Sequence, residues 1–199
     1  MNKKIMRLFL VILVLSVNVL IPVKADASGS VPLSIAVNGS LVISDADTDS
    51  AAGKNPTKNV SLSITPDLGH TTQSGTANFR LRTNQSAWRL TAQRTASSAG
   101  GTSIPDTDVK VDVATSAGTN ASATAGARVA PFTAQTSLGS ITTATPVDVI
   151  SGTAKTSTAR DFSNANNYFQ VNTTYSIDPD FFYTPGTFSS TITYNLVSP

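Results

Sequence analysis

The chain has 199 residues, of which 13% are charged, with a formal net charge of +2 and a pI near 9.0. It contains no cysteine and one histidine, His70, which excludes a disulfide scaffold and leaves no thiolate or imidazole set for zinc. Every acidic residue is Asp, helix formers are scarce and Ser and Thr are abundant, which points to an all-β domain with hydroxyl-rich outer faces.

The basic balance belongs to the N-terminus. Lys3, Lys4 and Arg7 precede an unbroken apolar run from Leu8 to Leu15, and the apolar character continues to Ile21 before Pro22 and Ala25-Asp26-Ala27. This is the pattern of a secretory leader over residues 1–27, too short for a bilayer span of about 20 residues. With that leader removed, 172 residues remain, carrying 10 basic and 11 acidic side chains. A nucleic-acid partner is therefore unsupported, and no second apolar run supplies a membrane span. The expectation is a secreted protein at the cell surface or outside the cell, with one domain over residues 28–199.

Strands are expected throughout that domain. Val31, Leu33, Ile35 and Val37 alternate with small or polar residues and read as a first strand, at an edge because of Pro32. Leu41-Val42-Ile43 follows, then a polar loop, then a strand from Val60 to Ile64. Ala77, Phe79 and Leu81 alternate with Asn78, Arg80 and Arg82; Trp88, Leu90 and Ala92 alternate with Arg89, Thr91 and Gln93. A hairpin turning at Asn84-Gln85 would place Leu81 opposite Trp88, and Arg80 opposite Arg89. Residues 95–103 read as loop, Val109, Val111 and Val113 as a strand, and Ala114–Ala127 as a low-complexity mobile loop. Further strands are expected near Phe132–Ile141 and Val147–Ile150.

The clearest alternation closes the chain, with Phe169, Val171, Tyr175 and Ile177 on one face and later Phe188, Ile192, Tyr194 and Leu196. These read as a final strand pair joined by a Pro- and Gly-containing loop. Leu62-Ser63-Ile64-Thr65-Pro66-Asp67-Leu68 is a weaker copy of Tyr175-Ser176-Ile177-Asp178-Pro179-Asp180-Phe181. Nine or ten short strands at this spacing predict an antiparallel β-sandwich or jelly roll.

Candidate sites are few. His70 lies in a polar loop, and no Gly-x-Ser-x-Gly elbow or paired-carboxylate spacing supports an enzyme; the chain reads as non-enzymatic. Asp45, Asp47 and Asp49 have the spacing of a calcium loop, but Ser50 and Pro56 stand where such a loop wants Gly and Glu. The alternative is a solvated polar turn. Arg80, Arg82 and Arg89 form either an anionic-ligand patch or a set of structural cations paired with Asp108 and Asp112.

Trp88-Arg89-Leu90 in mid-chain, with Gly186-Thr187-Phe188-Ser189-Ser190-Thr191-Ile192-Thr193-Tyr194-Asn195-Leu196 at the end, resembles the WxL domain of Gram-positive surface proteins. That resemblance implies an exported protein held non-covalently on cell-wall polymer, with Trp88, Leu90, Tyr194 and Leu196 at the motif positions. Tyr194 stands where the family has its second tryptophan. The ending is also similar to spore-coat-U-type and fimbrial modules, which implies coats or fibres. A fibre or coat subunit assembling by strand donation is accordingly the alternative, with the arm Val31–Val37 in the form a donated strand takes. The expected partners are thus wall polymer, other surface proteins or a second copy.

Overall fold

The computed structural model describes residues 33–199. The leader at residues 1–27, with Val31 and Pro32 of the expected first strand, lies outside the described residues. The chain divides into residues 1–37 and 38–199. In the first unit, residues 33–37 form no strand, contrary to the alternation; Leu33, Ile35 and Val37 are 83%, 76% and 82% exposed.

The second unit is a β-sandwich. Its strands are β1 (Leu41–Asp45), β2 (Gln73–Thr83), β3 (Trp88–Arg94), β4 (Ser98–Gly100), β5 (Lys110–Ala117), β6 (Gly126–Arg128), β7 (Thr136–Ser137), β8 (Val147–Gly152), β9 (Phe169–Ile177), β10 (Thr187–Ser189) and β11 (Ile192–Val197). One antiparallel sheet has the order β1-β2-β9-β5-β7 and the other β11-β3-β8-β6, with β4 and β10 forming a separate pair.

The alternation explains the core. Phe79, Leu81, Val111, Val113, Phe169 and Val171 come inward from the first sheet, and Trp88, Leu90, Ala92, Val149 and Ile150 from the second. Val149 and Ile150 are consecutive, yet both are fully buried. A register shift between Leu90 and Thr91 in the β3–β8 ladder allows this, because a bulge turns one extra residue toward the same face. Trp88 donates its indole N–H to the Ala154 carbonyl at 2.8 Å and meets Phe169 edge-on with ring centroids 5.6 Å apart. It fits because its cross-strand partner is Gly152, where an added Cβ would lie 2.0 Å from Trp88 Cε2.

Several expected pairings are corrected. β2 and β3 belong to different sheets and form no hairpin. Thr156 anchors the end of β2, its N–H bonding the Thr83 carbonyl at 3.0 Å and its Oγ1 accepting the Thr83 N–H at 3.1 Å. Residues 84–87 then carry the chain across the core. The inward parity of Leu81 and Trp88 survives, since both sheets face one interior, but their adjacency does not. β9 and β11 are likewise strands of opposite sheets. Ser98–Gly100 is a short strand, and Ala114–Ala117 extends β5 where a mobile loop was expected. Residues 60–64 are not a strand, and near 132–141 the strand is the two-residue β7, Thr136–Ser137.

Candidate functional site

Arg80 and Arg82 project from the outer face of β2, and a loop returns to meet them. After β1 the chain passes through Asp45–Ser50 and a single 3-10 turn at Ala51–Gly53. It then touches β1 again through the Asn55 N–H on the Ile43 carbonyl at 3.0 Å. Asp49 sits between the two guanidiniums, 2.9 Å from Arg80 Nη1 and 2.5 Å from Arg82 Nη2. Burial pushes the Asp49 carboxyl up, but the bonds from Arg82, Ser44 and Arg80 outweigh this and hold it at about 2.

The remaining valences decide what this cluster can do. Arg82 Nε donates to Asn167 Oδ1, Nη1 to Ser44 Oγ and Asp49 Oδ1, and Nη2 to Asp49 Oδ2 and the Asn164 carbonyl. A guanidinium has five N–H groups, so a cavity of about 510 Å³ beside Arg82 meets a side chain with no donor to spare. Arg80 stacks 3.9 Å from the Tyr168 ring centroid and bonds Gln170 and the Tyr168 hydroxyl. Arg89 lies on the other sheet and pairs with Asp148 at 3.3 Å. The three arginines are therefore not one patch. The counterion for Arg80 and Arg82 is Asp49; Asp108 instead accepts the Tyr183 hydroxyl at 2.8 Å.

The Asp45, Asp47 and Asp49 carboxylates do not converge. Lys58 Nζ bridges Asp45 and Asp47 at 2.7 and 2.6 Å, while Asp49 turns to the arginines. Among the described residues no group of three or more His, Cys, Asp or Glu side chains is placed to hold a metal ion. His70, at a positive φ of 45°, is 3.5 Å from the Pro179 carbonyl and has no catalytic neighbour in its hydrogen bonds.

The four resemblance positions are brought together on adjacent strands, with Leu196 opposite Leu90 and Tyr194 opposite Ala92. Trp88 and Leu90 are 1% exposed, and Tyr194 and Leu196 pack against the same core. The Tyr194 and Tyr175 hydroxyls meet at 2.9 Å across the interior, and burial raises both above the usual phenol range. These residues build the sandwich.

The feature that sequence reasoning missed is an open side of the sandwich. β1 covers only Phe79–Thr83 of β2, so among the described residues the edge of Gln73–Ala77 opposite β9 has no strand beside it. On the other sheet β11 pairs with β3 alone. Between these edges runs a groove of about 1130 Å³, floored by Phe79, Tyr175 and Ile177 and flanked by Phe188, Ile192 and Tyr194. Val60, Leu62 and Ile64 line it and are half-buried, with Ser61 and Ser63 exposed. Among the described residues, the backbone of residues 56–66 makes no hydrogen bond to another backbone or to a side chain. The same alternation that predicted a strand here thus reports side-chain burial without a ladder. Pro56 and Pro66, which bracket it and lack N–H groups, were the available signal.

No family model, curated protein or solved structure matches this chain. Among the described residues no helix is long and apolar enough to cross a membrane.

Proposed function

We propose that the protein is a non-catalytic subunit of an extracellular or cell-surface assembly, joined to its neighbours by strand donation. The observation that carries this reading is the pairing of two unfinished parts in one chain. The sandwich has a groove with an apolar floor of Phe79, Tyr175 and Ile177 between two open edges, and the arm at residues 33–37 presents three exposed aliphatic side chains at alternate positions. An unpaired edge is a template for another strand, and alternate apolar side chains give such a strand its specificity. The leader pattern supports export. Wall attachment, which the WxL resemblance implies, would have to use residues other than Trp88 and Leu90, whose side chains are in the core.

The test is the assembly state of purified residues 28–199 by light scattering and electron microscopy, beside a variant lacking residues 28–37. The full-length domain should form concentration-dependent oligomers or fibres. The truncated one should remain folded by thermal melting and stay monomeric. A full-length domain that is monomeric at all concentrations, or a truncated one that assembles equally well, would remove the reading.

A further inference from the structure

We infer that the docking position of the incoming arm is the one held in the monomer by Val60–Ile64, and that assembly proceeds by exchange of one segment for the other. This rests on the strand-donation reading above and specifies where and how the arm enters. The two segments carry the same side chains in different order. Val60-Ser61-Leu62-Ser63-Ile64 and Leu33-Ser34-Ile35-Ala36-Val37 each place one Val, one Leu and one Ile at alternate positions, with small residues between. Residues 60–64 already point their aliphatic groups into the groove, over the inner face of β2 at Gly75.

What the internal segment lacks, among the described residues, is backbone pairing. It is held at both ends to strands of the first sheet, at Asn55 on β1 and at Gln73 where β2 begins. Its start is turned by Asn55, at a positive φ of 51°, and its ends are marked by Pro56 and Pro66. An arm from a second copy is tethered at one end only and can align with an open edge. Exchange leaves the aliphatic content of the groove unchanged and adds a ladder that the stand-in does not make. The stand-in therefore keeps the groove from lying empty before assembly and yields to the arm during it.

The chain has no cysteine, so the stand-in can be locked in place without interference. A Cβ added at Gly75 would lie 3.9 Å from Val60 Cβ, within the roughly 3.5–4.5 Å that a disulfide spans. The Val60→Cys/Gly75→Cys variant should lose assembly when oxidised, to the level of the arm-deleted protein, and regain it on reduction. A second measurement uses a fluorescent synthetic peptide of residues 31–38 as the probe. Its affinity for the arm-deleted domain should rise at least tenfold, about 1.4 kcal/mol, on Val60→Ser/Leu62→Ser, with Trp88 emission confirming the fold. Oxidised protein that assembles as fast as reduced, or a peptide affinity unmoved by the serine changes, would overturn exchange and mean that the arm enters beside residues 60–64. Failure of the wild-type domain to assemble at all overturns strand donation itself, and this inference with it.

Discussion

Trp88 and Arg82 show how single side chains are assigned by what remains unsatisfied around them. Trp88 has its N–H bonded, its ring against Phe169 and 1% of its surface exposed, so its emission should be blue-shifted and poorly quenched by iodide. Trp88→Ala should cost about 3–5 kcal/mol in chemical denaturation, as for other large buried aromatics. Arg82, with every N–H bonded inside the protein, should behave as a structural residue. Arg82→Gln should lower stability by about 1.5–3 kcal/mol, the range for losing a bond to a charged group. The acid behaviour follows from Asp49. Its folded pKa of about 2 lies below the ordinary Asp value of about 3.9, so the unfolded chain takes up its proton first as pH falls. The stabilisation is complete above pH about 4 and lost as pH falls through about 2. Urea midpoints measured across that window should decline in the wild type, and less steeply in Asp49→Asn.

At the scale of strands, alternation in the sequence reports which side of a strand is wet and is silent about its neighbour. Phe79, Leu81, Trp88 and Leu90 point inward as their alternation indicates, yet no hairpin joins them, because two facing sheets give the same parity as two paired strands. Residues 60–64 fail for a related reason: their side chains obey the strand rule while their amides pair with none of the described residues. The arginine counterion was illegible because Asp49 is 31 residues from Arg80, on a loop whose return path no local pattern encodes. Gly152 carries a prediction at this scale. Its lack of a Cβ lets the Trp88 ring lie across β8 on the inner face of the sheet that β3 and β8 share. Gly152→Ala should cost about 1–3 kcal/mol, as overpacking does, with loss of the protected Trp88 emission tracking the denaturant midpoint.

For the whole molecule, fold class was legible because the core is assembled from long, regular runs such as β2 and β9, which sit side by side in register from Gln73–Ile177 to Leu81–Phe169. Assembly was only half legible. The arm of the proposed donation shows in the sequence as Leu33, Ile35 and Val37, whereas the groove proposed to receive it is built from edges that become neighbours only after folding. With no disulfide to hold the sheets, stability rests on packing between them. Filling the groove should therefore raise the melting temperature. The arm-deleted domain saturated with the residue 31–38 peptide should melt higher than alone, as expected for a ligand that binds only the folded state; an unchanged midpoint at saturation would contradict the groove as its site.

The short reach of β1 has a kinetic consequence. Between Phe79 and Leu81, β2 lies between β1 and β9, but from Gln73 to Ala77 it has, among the described residues, β9 on one side only. Backbone amides in an antiparallel strand point alternately to the two sides. In deuterated solvent, one continuous strand should therefore show two clocks. Amides of its second half should exchange only on large openings, while those of Gln73–Ala77 that face away from β9 should exchange early. If copies join by the proposed strand donation, that early set should fall silent on assembly, marking the seam one amide at a time.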